Sequence, residues 1–294
     1  MINFRAAAPV DIDAVRQQLP ASWQALQASV RRMATPCGDG ELVWHAWGEP
    51  GQKPLVLLHG GSGSWSHWVA NIPALLGQGY QVWAADLPGF GDSALSPNGC
   101  DAQAMVEPLY AGLRELGLLS CQLVGFSFGG LSAALLAAAH PDVARQLVLV
   151  GAPSMGVVAQ RQYTLKGWRH LPQALQHEAH RHNLAALMLH DPARIDAATL
   201  ALHEYNVLRD RMPRRRVGPS DTLAQTLPRL HGPVAVVYGE HDALYRGHLA
   251  QLRAAYEAGL PRLQEFVLVP AAGHWVQYEQ PGAFDRELLR LLEA

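Results

Sequence analysis

Cysteine is scarce in this 294-residue chain, and the three that occur, Cys37, Cys100 and Cys121, are scattered with no CxxC pair. Such a set argues against a disulfide framework and fits a reducing compartment. Lysine is scarcer: Lys53 and Lys166 stand against a cationic complement that is otherwise arginine, a bias that points to genome composition. Charge of either sign is not in excess. A net charge of −2 and a pI near 6.7 give no electrostatic case for a nucleic-acid partner or an anionic membrane surface. No apolar run approaches the length that spans a bilayer. Met1 to Gln18 contains Asp11 and Asp13 and lacks the apolar stretch of a secretory signal. The expectation is a soluble, cytoplasmic protein with no membrane partner. Internal repeats and low-complexity linkers are also missing.

What is present fits a well-packed globule, with 49% hydrophobic and 16% charged residues. The length suits one large α/β domain with an insertion. Pro20-Ala21-Ser22 reads as a helix start before Trp23 to Val30, inside an N-terminal extension over residues 1–28. Packing against the core is the plain role for that extension, and a homodimer contact is the alternative. Arg31 to Trp47 reads as two strands joined by a Gly/Asp hairpin at Cys37-Gly38-Asp39-Gly40. Strands near 54–58, 80–85, 121–125 and 146–151 then alternate with helical stretches. Strands near 233–238 and 265–269 complete a mostly parallel sheet. The alternation breaks between about Pro153 and Leu230, where helical periodicity, prolines, histidines and arginines replace strand patterns. An insertion there would sit above the sheet's C-terminal edge as a lid.

Chemistry enters with Gly125-Phe126-Ser127-Phe128-Gly129-Gly130. Cys121 to Val124 ahead of it looks like a buried strand, and Leu131 to Ala139 behind it like a helix. A G-x-S-x-G serine between strand and helix is a nucleophile elbow, a strained turn that demands small neighbours. A serine hydroxyl needs an imidazole to take its proton and a carboxylate to hold that imidazole. In this kind of fold the order is serine, acid, histidine. Asp242 follows the strand Val234 to Tyr238 and its Gly239 turn. His274 follows the strand Phe266 to Val269. Both therefore fall on loops at strand C-termini, where ligands bind in parallel sheets. Glu240 is the competing acid. A further strand ends in His59-Gly60-Gly61-Ser62-Gly63, and backbone N–H groups of Gly61 and Phe128 are assigned as the oxyanion donors. His59 precedes Ser127 and reads as a residue that fixes this loop by hydrogen bonding.

Four blocks together resemble the α/β-hydrolase family from about Arg31 to the C-terminus. They are His59-Gly60-Gly61, Asp86-Leu87-Pro88-Gly89-Phe90-Gly91-Asp92-Ser93, the Ser127 elbow, and Gly239-Glu240-His241-Asp242 with Gly273-His274-Trp275. The resemblance implies an eight-stranded, mostly parallel sheet flanked by helices. Its core covers 29–152 and 231–294, with a helical cap over 153–230. Asp86 and Asp92 then belong to a structural turn. No cofactor or metal is implied. A serine at the elbow separates the chain from dehalogenases and epoxide hydrolases of this fold, which carry aspartate there.

The reaction implied is acyl transfer to water on a small apolar or aromatic substrate. The alternative is C–C hydrolysis of aromatic meta-cleavage products, because Gly273-His274-Trp275-Val276-Gln277-Tyr278-Glu279 and Asp191-Pro192 are similar to segments of those enzymes. Phe126 departs from the asparagine usual there, and His203 falls where a lid arginine would hold the substrate carboxylate, with Arg209 as the nearby substitute. The phenylalanines beside Ser127 are also similar to those of cofactor-free haloperoxidase-like relatives. A ligand receptor of the same fold is the reading from another class. Trp65, Phe126, His203, Arg209 and Trp275 are expected in the pocket, with Trp68 and Phe128 as further aromatic neighbours. His177, His180 and His182 miss the H-E-x-x-H spacing and read as an exposed polar helix face. Arg209, Arg211 and Arg214-Arg215-Arg216 form a basic run, of which one could face a substrate carboxylate.

Overall fold

A computed structural model describes residues 10–212 and 220–294. The arginines at 214–216 therefore lie outside the described residues. Two helices come first, α1 (Ile12–Arg16) and α2 (Ala21–Ser29), followed by strands β1 (Arg31–Cys37), β2 (Gly40–Trp47) and β3 (Lys53–Leu58). Helix α3 (Ile72–Gly77) leads to β4 (Tyr80–Ala85), and α4 (Val106–Glu115) to β5 (Cys121–Phe126). Helix α5 (Phe128–Ala139) and β6 (Ala144–Val150) close the first half. Helices α6 (Gln173–Asn183), α7 (Ala197–Leu208) and α8 (Thr222–Thr226) separate it from β7 (Val234–Gly239). Then come α9 (Leu249–Gly259), β8 (Leu263–Val269), α10 (Val276–Glu279) and α11 (Pro281–Glu293).

The eight strands form one sheet in the order β1-β2-β4-β3-β5-β6-β7-β8. The β1–β2 and β2–β4 pairs are antiparallel and the remaining pairs parallel. The strand period of two distributes side chains to two cores, one on each face. Val56, Leu58 and Leu123 enter the core under α4, α5 and α9. Leu55, Leu57 and Val124 enter the core shared with α3, α7 and α11. Every residue of β5 is buried, as expected of a central parallel strand covered on both faces.

Helix α5 starts at Phe128, three residues before the start read from the sequence. The elbow glycines are helical here, and their poor helix propensity hid that first turn. The N-terminal extension packs against the molecule. Val15, Leu19, Trp23 and Leu26 are buried, and Trp23 stacks on Trp65 at 5.8 Å and meets Tyr205 of α7 edge-on at 5.7 Å. Within the stretch expected as an insertion, Leu223, Leu227 and Leu230 join the core beside Leu252 and Tyr256. Residues 222–230 lie against α5 and α9. No helix among the described residues is long and apolar enough to cross a membrane.

Candidate active site

Ser127 sits between β5 and α5 with φ of 50° and ψ of −117°. That is a costly conformation for a residue with a Cβ, and it persists because its surroundings hold it. The Ser127 N–H donates to the Val150 carbonyl at 2.7 Å, and its own carbonyl accepts from Gly130 N–H at 2.9 Å. A Cβ on Gly125 would stand 2.5 Å from the Gly129 carbonyl oxygen, and one on Gly129 would collide with the His59 carbonyl. The strand and helix can cross this closely only where side chains are absent.

The sheet edge brings together the residues expected to work with it. His274 Nε2 lies 2.9 Å from Ser127 Oγ, and His274 Nδ1 lies 2.9 Å from Asp242 Oδ2. Asp242 and His274 are buried, and Asp242 Oδ1 accepts from Leu244 N–H at 2.9 Å. Glu240, the competing acid, is exposed and faces His241 at 4.0 Å.

Gly61 and Phe128 both line the space beside Ser127. Phe128 is the first residue of α5, so its N–H has no acceptor within the helix and lies at the positive end of its dipole. His59 has a structural place: Leu87 N–H donates to its Nε2 at 2.8 Å, and its Nδ1 lies 2.7 Å from the Gly60 carbonyl. With Nε2 accepting, the proton resides on Nδ1 and is donated to Gly60. The ring is thus committed to the loop.

A cavity of about 470 Å³ opens from Ser127 toward the insertion. Of the expected pocket residues, Phe126 and His203 line it, and Trp65, Arg209 and Trp275 do not. Trp65 is taken up by the stack with Trp23. Trp275 donates its Nε1–H to the His67 carbonyl at 3.0 Å and stacks on Tyr278 at 4.0 Å. Trp68 is also core rather than wall. Arg209 pairs with Asp92 at 2.6 Å and Asp86 at 3.8 Å, with its guanidinium over Tyr205. A cation so compensated is poorly placed to hold a substrate carboxylate. Burial pushes His203 down to about 3, with His180 adding to the effect, so this ring is neutral near pH 7 and is no substitute for an arginine. Among the described residues, the arginine and lysine in the cavity wall are instead Arg161 and Lys166, from a segment whose sequence pattern did not mark them.

Asp86 anchors the neighbouring loops. Burial pushes its carboxyl up, yet His45 and Arg209 outweigh that and hold it below the ordinary carboxylate range. It accepts from Trp65 N–H and Asp92 N–H at 2.9 Å each. His45, Asp86 and Asp92 offer atoms within 4.8 Å of one another. The Arg209 guanidinium already offsets that charge, which disfavours a cation there. The histidines of α6 diverge. His177 meets Glu204 at 2.5 Å, His182 meets the Thr164 carbonyl, and His180 is buried against Trp168 and His203. The exposed face expected for all three therefore fails at His180, because α7 packs over it.

Three residues important to the site were given no role by the sequence, although Glu279 closes the Gly273–Glu279 segment quoted above. Glu279, fully buried, accepts from Gly273, His190 and Asp191 N–H groups at 2.6, 3.0 and 2.7 Å, tying the His274 loop to the insertion. His67 lines the cavity and accepts from Gly60 N–H at 3.2 Å through Nδ1. Burial first, then His59, His203 and His274, hold its pKa well below the ordinary value. Asn206 accepts from Ser64 and Ser66, in the loop that follows β3.

Residues 55–287 match a family model described as the alpha/beta hydrolase family. Among curated proteins, a dihydrolipoyllysine-residue acetyltransferase component of the acetoin cleaving system from Pseudomonas putida is 29% identical over 96% of this chain and 76% of its own length. A 2-hydroxy-6-oxononadienedioate/2-hydroxy-6-oxononatrienedioate hydrolase from Paraburkholderia phymatum is 29% identical over 82% of this chain and 88% of its own. Among solved structures, the carboxylesterase CesB from Bacillus subtilis superposes with a TM-score of 0.73 at 21% identity, covering 96% of this chain and 98% of that one. At that identity the likeness concerns the fold.

Proposed function

Because the chain belongs to the alpha/beta hydrolase family and is a hydrolase of that fold, we propose that it cleaves an ester or related acyl bond through an acyl-enzyme on Ser127. The observation that carries the reading is the relay of two 2.9 Å contacts from Ser127 through His274 to Asp242, at the floor of a cavity of about 470 Å³. In this reading Ser127 Oγ attacks the carbonyl carbon as His274 Nε2 takes its proton. Asp242 keeps the proton on Nδ1 and stabilises the imidazolium. Gly61 and Phe128 N–H groups receive the oxyanion, aided by the α5 dipole. His274 returns the proton to the leaving group, and water then repeats the sequence to release the acid. Phe126, Phe128, Leu187 and Met188 favour an apolar or aromatic acyl part.

The test is hydrolysis of p-nitrophenyl esters of increasing chain length by the wild type and Ser127→Ala. The expected result is turnover with a length optimum and a loss of about 10³-fold or more in kcat for the variant. Turnover that survives in Ser127→Ala would overturn the reading.

C–C hydrolysis of a meta-cleavage product is the second reading, supported by the name of the Paraburkholderia relative and by the cations Arg161 and Lys166 in the cavity wall. A Ser127-dependent loss of absorbance from a vinylogous diketone carboxylate, with p-nitrophenyl esters untouched, would select it.

A further inference from the structure

The loop that carries Gly61 is held from three directions, and one of them belongs to the cap. Below, His67 Nδ1 receives the Gly60 N–H at 3.2 Å, and a side chain on Gly63 would run into the same imidazole. At its far end, Asp86 Oδ1 receives the Trp65 N–H at 2.9 Å. Above, Ser64 Oγ and Ser66 Oγ donate to Asn206 Oδ1 at 2.8 and 3.0 Å. Ser64, Ser66 and Asn206 are all buried, where an unmade hydrogen bond is expensive.

Asn206 belongs to α7, the helix that also sends His203 and Val207 into the cavity. Its Nδ2 finds no partner among the described residues. Only the acceptor half of the amide is used, and it is used twice, on the loop that precedes the nucleophile in the sequence. Ser62 Oγ adds a contact of 2.6 Å to Asp210, just beyond the same helix. One helix therefore touches both the substrate space and the oxyanion loop.

We propose that Asn206 is a positioning residue: from the cap, it sets the oxyanion loop so that the Gly61 N–H is aimed where the oxyanion forms. The proposal rests on the acyl-transfer reading above. The helix that lines the substrate space with His203 and Val207 thereby also holds one donor of the pair. Loss of Asn206 leaves Ser127, His274 and Asp242 in contact while the Gly61 donor drifts. Transition-state stabilisation suffers and ground-state binding does not.

The experiment compares wild type, Asn206→Leu, Asn206→Asp and Ser66→Ala on a p-nitrophenyl ester, with phenylboronic acid as the tetrahedral mimic and circular dichroism for the folded fraction. A deleted oxyanion donor costs about 10²–10³ in kcat; a misplaced one should cost about 10–100-fold. Asn206→Leu is expected to lose kcat on that scale with KM within about two-fold, and to lose phenylboronate affinity in parallel. Asn206→Asp keeps the accepting oxygen and should recover most of the rate. Ser66→Ala, which leaves the cap helix untouched, should show a smaller loss of the same kind. The proposal is overturned if Asn206→Leu keeps wild-type kcat, or loses rate and phenylboronate binding only in proportion to its unfolded fraction. A wild type without Ser127-dependent turnover would sink the acyl-transfer reading and this proposal together, whereas wild-type turnover with an unaffected Asn206→Leu sinks this proposal alone.

Discussion

At the scale of single residues, the site depends on atoms that are missing as much as on those present. Ser127 holds a positive φ of 50° because Gly125 and Gly129 let β5, α5 and the His59 loop approach more closely than any Cβ permits. Gly125→Ala puts a methyl group against the Gly129 carbonyl, which is backbone and cannot swing away. The expected outcome is a sharp fall in soluble, folded protein, read by expression and thermal melting. A variant that melts within a degree of wild type would mean that the elbow relaxes without cost. The same neighbourhood shows how burial decides chemical role. His59, His67 and His203 all surround the cavity floor or its loops, yet only His274 has an acid on one nitrogen and a serine on the other. Sequence order pointed to His274 because it follows both Ser127 and Asp242, and it left unread the place of His67, whose Nδ1 accepts from a backbone amide seven residues earlier.

At the scale of elements, the helices α6 and α7 between β6 and β7 pack histidines inward. Burial, then His177 and Arg169, push the His180 imidazole down to about 4, and His203 is pushed down to about 3. In the unfolded chain each takes its proton near pH 6.5. Between those values the unfolded state binds more protons than the folded one, so stability is full above about pH 6.5 and declines as pH falls toward 4. His180→Phe removes one of these groups while keeping a ring against Trp168 and His203. Its Tm should therefore fall less steeply than that of wild type between pH 7 and pH 4.5. Parallel curves for the two proteins would exclude His180 as a source of the acid dependence. Helical periodicity made the insertion legible as helical. The inward turn of His180 was not, because an amphipathic count cannot tell solvent from a neighbouring helix when the face is polar.

At the scale of the whole molecule, the N-terminal helices, α7 and the loop after β3 are joined through aromatic contacts. Trp23 bridges Trp65, which precedes the cavity-lining His67, and Tyr205, which precedes Asn206. Trp47 reinforces the join by donating its Nε1–H to the Leu26 carbonyl at 2.9 Å. Trp23→Ala should cost about 3–5 kcal/mol, the usual penalty for truncating a buried tryptophan, as measured by denaturant unfolding. A cost under about 0.5 kcal/mol, the usual range for surface substitutions, would show that the extension adheres without contributing to the core.

The sequence by itself determined what is local or strictly ordered. Strand periods and the small residues around Ser127 follow from backbone sterics, which act over a few residues, whereas the order of serine, acid and histidine was legible only through the resemblance to the α/β-hydrolase family. Tertiary structure alone decided which side chains reach the cavity. Trp65, Trp275 and Arg209 flank the right loops in sequence, but each was drawn to a nearer partner: an indole, a carbonyl and tyrosine ring, and a pair of carboxylates. Arg161, Lys166 and His67 took the wall instead. The physical reason is that a side chain's place is set by competition among partners far apart in the chain, and that competition begins only once the sheet and its two cores have brought them within reach.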